Sequence, residues 1–182
     1  MPVKEVTLQA DCPAVRIPAG DTLTLPAGGT YDVAQALGGS VTLRAPEGLF
    51  RVAPEHFDAL GAEFAAAHAA EATAAADEPF SEELVWSQLR QCFDPEIPLN
   101  IVDLGLIYNL ETSVVEGGQH DVAVTMTLTA PGCGMGPTIA EDARQKVEAL
   151  PSVRQARVDI TWDPQWTAHM ISEEGRKVLG LD

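Results

Sequence analysis

Asp121-Val122-Ala123-Val124-Thr125-Met126-Thr127-Leu128-Thr129-Ala130-Pro131-Gly132-Cys133-Gly134-Met135-Gly136-Pro137 is the stretch that decides the fold. Its first half alternates. Val122, Val124, Met126 and Leu128 share one side, and Ala123, Thr125, Thr127 and Thr129 the other, the period of a half-buried strand. The second half sets glycine and proline around a single thiol. A helical pattern leaves it over 138–150, with Ala140, Ala143, Val147 and Leu150 on one stripe. Thr138-Ile139-Ala140-Glu141 fits a capping box at the start of that helix.

Upstream, Ser81-Glu82-Glu83-Leu84 starts a helix with acids in its first turn, where the dipole favours them. Leu84, Leu89 and Cys92 or Phe93 supply its apolar side. Asp94-Pro95 is expected to stop it, because the residue before a proline is pushed out of the helical region. A proline-bracketed loop then feeds a strand running to about Leu110, and a turn at Gly117-Gly118 makes a hairpin with the alternating strand. Downstream, Pro151-Ser152 ends the second helix. Residues 153–162 alternate again, with Ala156, Val158, Ile160 and Trp162 on one side. A last helix is expected over 166–179, packed by Trp166, Met170 and Val178. The order α-β-β-α-β-α over 81–182 implies an α+β fold, a two-layer α/β sandwich.

Residues 1–58 read as a small, mainly-β domain of roll or barrel type. Apolar runs at 6–8, 15–17, 23–25, 41–43 and 49–52 are separated by Pro- and Gly-rich turn signals. From Glu55 the composition shifts to alanine, with Phe57, Leu60, Phe64 and His68 at helical spacing. Residues 59–80 therefore read as a helical linker closed by Pro79.

The net charge of −16 offers no basic surface for phosphate, which excludes nucleic-acid binding by counterion release. No apolar run approaches membrane-spanning length, so no membrane role is expected. Three widely spaced cysteines, Cys12, Cys92 and Cys133, make no disulfide framework, and a reducing, cytoplasmic setting follows as the default. No Cys-x-x-Cys or His-x-x-x-His pair encodes a complete metal site.

Cys133 is the leading candidate for chemistry. A thiol just ahead of a helix N-terminus is favoured as thiolate by amide hydrogens and the dipole, and Gly132 and Gly134 leave the sulfur accessible. Glu141 and Asp142, placed in the first turn by the capping-box reading, would partly oppose that charge. The competing reading is a small core residue in a tight loop. Asp103, beside Gly105 at a strand entrance, either turns a carboxylate toward the neighbouring loop or holds an Asx-type turn. Glu96 is either displayed by its two prolines or is merely polar. Thr129 could hydrogen-bond a sulfur or an anion, or be an ordinary strand threonine. Cys92 falls on a helix stripe and is expected in the core; Cys12 belongs to the β domain.

Asp94-Pro95-Glu96-Ile97-Pro98, then Asn100-Ile101-Val102-Asp103-Leu104-Gly105-Leu106-Ile107, then Met126 to Met135 with its Gly-Cys-Gly, together resemble the small iron–sulfur cluster assembly factor family. Its members include SufT, the PaaD-type proteins and eukaryotic cytosolic targeting factors. The resemblance covers about 81–182, including Trp162-Asp163-Pro164 and Ser172-Glu173-Glu174. The whole chain looks most like SufT forms with an N-terminal β domain, which the Gln35-Ala36-Leu37-Gly38-Gly39 segment fits. The resemblance implies that Cys133 is the family's reactive cysteine and a cluster ligand, that Asp103 is its acidic position, and that the protein is a maturation factor rather than a turnover enzyme.

One such thiol ligates only part of an iron–sulfur cluster, so a bound cluster would be transient and shared with a second subunit, a partner or a small thiol. The implied partners are SUF-type assembly machinery, apo iron–sulfur proteins and, through self-association, a second copy of the chain. Two other classes compete: a thiol or persulfide transfer enzyme with Cys133 as nucleophile, and a protein-interaction adaptor in which sulfur chemistry plays no part.

Overall fold

A computed structural model of the chain describes residues 5–37, 39–66, 79–132 and 134–181. The chain divides into two compact units, Met1–Ala75 and Ala76–Asp182.

The first unit is one six-stranded antiparallel sheet. Its strands are β1 (Glu5–Thr7), β2 (Cys12–Ile17), β3 (Thr22–Leu25), β4 (Thr30–Leu37), β5 (Ser40–Ala45) and β6 (Gly48–Val52), in the spatial order β1-β4-β5-β6-β2-β3. Beyond β1, Leu8 bonds the β3–β4 turn both ways, its N–H to Gly29 O (2.9 Å) and its carbonyl from Gly28 N–H (2.7 Å). Leu8, Cys12, Val41, Leu43, Phe50 and Val52 form the core, joined by Phe57 and Leu60. The β reading holds, with one strand more than the apolar runs indicate. β4 carries Asp32 and Gln35, and its register shifts between Val33 and Gln35, so no apolar run marks it. The helix expected from Glu55 is instead a 3-10 turn, Pro54–Ala59. Gly61, at a φ of +118° that a side chain would strain, separates it from helical residues 62–66. Residues 67–78, with His68 and most of the alanine-rich linker, lie outside the described residues, as do Gly38 and Cys133.

The second unit has the expected α-β-β-α-β-α order, an α+β arrangement: α1 (Glu82–Leu89), β7 (Ile107–Val114), β8 (His120–Met126), α2 (Gly136–Glu148), β9 (Val153–Ile160) and α3 (Glu173–Leu179). β8 is central, antiparallel to β7 with Leu110 opposite Val124, and parallel to β9 with Val124 beside Val158. Val122, Val124 and Met126 are buried as their alternation requires, together with Ile139, Ala143 and Val147 of α2. α2 packs on β9 and α1 on α2. Ser81 caps α1 by accepting from Leu84 N–H (3.2 Å).

Four expectations are corrected. α1 ends at Leu89, well before Asp94-Pro95: Cys92 N–H turns back to Leu89 O (3.1 Å) and Phe93 pairs with Asn100. β8 ends at Met126, short of the alternation through Leu128, and Thr127, on the face opposite Val124 and Met126, is only 1% exposed. β9 stops at Ile160, which leaves Trp162 45% exposed. The last helix is broken. Ala168–Met170 is a 3-10 turn, Ile171 is extended, and only then does Ser172 cap α3, accepting from Gly175 N–H at 2.9 Å; Val178 stands 64% exposed.

The segment before α3 is strapped to the loop before β7. Trp166 Nε1–H donates to Leu104 O, and Tyr108 O–H to Pro164 O, both at 2.8 Å. Gly105 makes this approach possible: at φ +71°, a Cβ there would lie 2.1 Å from Met170 O. Gly105→Ala is expected to cost roughly 3 kcal/mol in urea unfolding, from backbone overlap added to strain. Gly117→Ala, at φ +90° with open space, should cost about 1 kcal/mol.

Candidate functional site

Three connections meet at one end of the three-stranded sheet. β7 runs against β8 while β9 runs with it. The start of β7 and the ends of β8 and β9 therefore lie together. Thr127 N–H donates to Leu106 O and Thr161 N–H to Met126 O, both at 2.8 Å. The loops 94–106 and 127–135 and the segment 161–166 thus share one rim, outside the carboxyl ends of the parallel strands, where ligand sites of such sheets form.

Cys133 belongs to the middle loop but lies outside the described residues, so the site is built from its neighbours. Pro131, Gly132 and Gly134 are exposed. Gly132 adopts φ +81°, and among the described residues beyond its chain neighbours no atom lies within 4 Å of where a Cβ would sit. On the far side Met135 is fully buried, and Gly136 packs so closely on Leu128 that a Cβ would lie 2.4 Å from its Cδ1. The loop is pinned at both ends, and its described tip residues face solvent.

The capping box does not form. Pro137, favoured in a first helical turn, sits there, and the helix begins at Gly136 with no side-chain cap. The opposing carboxylates are consequently not in the first turn, which holds no acid. Glu141 is bound by Arg144 through Nη2 (2.7 Å) and Nε (2.8 Å), and Arg144 holds its carboxyl below the usual range. Asp142 pairs with Lys146 at 2.9 Å. The positive end of the α2 dipole therefore lies at the C-terminal end of the cysteine loop with no acid in its own first turn.

Asp103 is half-buried and fully engaged. Its Oδ2 accepts from Asn100 Nδ2 (2.6 Å) and its Oδ1 from Ser172 O–H (2.8 Å). The Asn100 Oδ1 in turn accepts from Val102 and Asp103 N–H (3.0 and 2.8 Å), so the Asx-type turn is made by Asn100. Glu96 is exposed, in the earlier part of the same loop, and Thr129 is half-buried in the cysteine loop. Cys12 and Cys92 are completely buried, and burial pushes the Cys12 thiol up. Among the described residues, no group of three His, Cys, Asp or Glu side chains is placed to hold a metal ion, and no helix is long and apolar enough to cross a membrane.

Sequence reasoning missed Asp94, Asn100, Ser172 and Thr127. Asp94 is 7% exposed, and its Oδ1 accepts from Glu96 N–H (2.8 Å) and Ile97 N–H (3.0 Å), which shapes the proline-bracketed loop. The Asp-Pro pair was the available signal for such a turn. The Thr127 hydroxyl, buried at the base of the cysteine loop, has no hydrogen-bond partner among the described residues.

Burial raises the Asp94 pKa, and the two N–H bonds only partly offset this. The native state therefore holds that proton to higher pH than the unfolded chain. This contribution is greatest at acid pH and is lost as pH rises through the elevated value. Asp94→Asn is expected to gain on the wild type between acid and neutral pH in denaturant titrations. Asp94→Ala, which strips both amides of their acceptor, should lose about 2 kcal/mol at acid pH and less at neutral pH, where the wild type has given up its protonation advantage.

The family model described as "Iron-sulfur cluster assembly protein" matches residues 82–160. An Fe-S protein maturation auxiliary factor of Porphyromonas gingivalis is 46% identical over 101 residues, covering 56% of this chain and 92% of the relative. The auxiliary factor YitW of Bacillus subtilis is 35% identical, covering 55% and 94%. The auxiliary factor SufT of Staphylococcus aureus is also 35% identical, covering 48% and 96%. With almost the full length of each relative matched, the chain belongs to the iron–sulfur cluster assembly protein family, as a SufT-like member.

Proposed function

We propose that this chain is an auxiliary factor in iron–sulfur protein maturation that carries a cluster, or targets it to an apo-protein, through Cys133. The relatives named as maturation auxiliary factors support the general role. The observation that carries the finer reading is the fate of the thiols. Cys12 and Cys92 are sealed in two cores at 0% exposure, whereas the residues on either side of Cys133 are exposed. Cys133 is the thiol left for chemistry. The acid-free first turn of α2 favours its thiolate, the form that binds iron.

The cluster is cargo in this reading. One thiolate fills a minority of its ligand positions, and the others come from a second subunit, a partner protein or a small thiol. Incomplete ligation by the chain suits release to an acceptor. SUF-type assembly proteins and apo iron–sulfur proteins are the partners such a carrier needs, and no turnover of a small molecule is involved.

Anaerobic reconstitution with iron and sulfide tests it. The wild type should gain cluster absorbance with matching iron and acid-labile sulfide, and Cys133→Ser should gain neither. Equal loading of the two proteins would remove Cys133 as a ligand. Absence of loading in both would end the carrier reading.

A further inference from the structure

We propose that Asp103 is a positioning residue. Together with Asn100 and Ser172 it clamps the C-terminal segment to the loop that holds the end of β8 beneath the cysteine loop. Both carboxylate oxygens are spent on neutral donors, Asn100 Nδ2 at 2.6 Å and Ser172 Oγ at 2.8 Å. Neither donor is free to reorient. Asn100 has its Oδ1 fixed by two backbone N–H groups, which turns its NH2 toward Asp103. Ser172 Oγ accepts from Gly175 N–H (2.9 Å), which directs its proton to the carboxylate. The main chain repeats the link, Ser172 N–H donating to Asp103 O at 2.8 Å.

From there the connection runs unbroken to the site. Leu106 N–H donates to Ile101 O (3.0 Å), and Leu106 O accepts from Thr127 N–H (2.8 Å), at the root of the cysteine loop. Gly175 keeps α3 close, since a Cβ there would lie 3.0 Å from Asp103 O and 2.8 Å from Leu99 Cδ2. Two donors converge on residue 103, so the position requires a group that only accepts. An amide at 103 would set NH2 against NH2, or leave the serine proton unmatched.

That requirement is reversible, and its reversal is the test. Asp103→Asn disrupts the clamp. Asn100→Asp combined with Asp103→Asn restores it with donor and acceptor exchanged. The carboxylate now at position 100 would still accept both backbone N–H groups, and the amide now at position 103 would donate to it while accepting from Ser172. Amide hydrogen exchange is measured in the full chain, beside iron and sulfide loading. Asp103→Asn should speed exchange at Thr127 and Gly175 roughly tenfold, leave the middle of β8 unchanged, and lower loading. The double variant should return both readouts to within about twofold of wild type.

Restored protection without restored loading would overturn the proposal, because a carboxylate would then be needed at 103 itself. Unchanged protection in Asp103→Asn would overturn it equally. If that single variant does not fold, the double variant decides: wild-type exchange and loading support the clamp, and failure to fold removes it. The loading arm rests on the carrier reading, but the exchange arm does not. A wild type that never loads iron thus sinks the carrier while leaving the clamp to be judged by exchange alone.

Discussion

Parallel pairing of β8 with β9 is the constraint on which the second unit turns. A parallel neighbour obliges the chain to cross from one end of the sheet to the other, and α2 is that crossing. The loop leaving β8 must therefore reach a helix start within a few residues. Gly136 against Leu128 and the buried Met135 show how tightly that is done. Because β7 runs the opposite way, its incoming loop is brought to the same rim. The meeting of the Asp103 loop with the cysteine loop is thus a product of strand direction, secured by one hydrogen bond from Thr127 to Leu106.

Much of this was legible in the chain, and the parts that were not have physical reasons. The alternation over 122–126, the Ser81 cap and the glycine turn at 117–118 are local signals, and the structure follows them. The capping box at Thr138 failed because the helix starts two residues earlier, with Pro137 in its first turn, which puts Thr138 inside the helix rather than at its cap. β4 escaped notice because a bulge breaks its period. Val178 and Trp162 sit at helical or strand spacing yet face outward, since α3 is too short and β9 ends too early to bury them. Asn100 and Ser172 could not be paired from sequence, as their link through Asp103 spans the whole crossover.

Carboxylates in the site region serve mainly as acceptors for the protein's own donors. Asp94 holds two backbone amides, Asp103 an amide side chain and a hydroxyl, Glu141 and Asp142 their helix cations. For a chain of net charge −16 this has a local effect. The carboxylates of Asp94, Asp103, Glu141 and Asp142 are thus occupied, Glu96 stays exposed, and the first turn of α2 holds no acid against its positive end.

Glu148, at the end of α2, carries one more consequence. It accepts from Ala156 N–H on β9 (3.1 Å) while Arg144 binds its other oxygen. The middle of that outer border is therefore occupied by a neutralised side chain, and an incoming backbone would have to displace an ion pair to bond there. An edge guarded in this way is a poor template for backbone pairing, which protects that border of the sheet from unwanted strand addition.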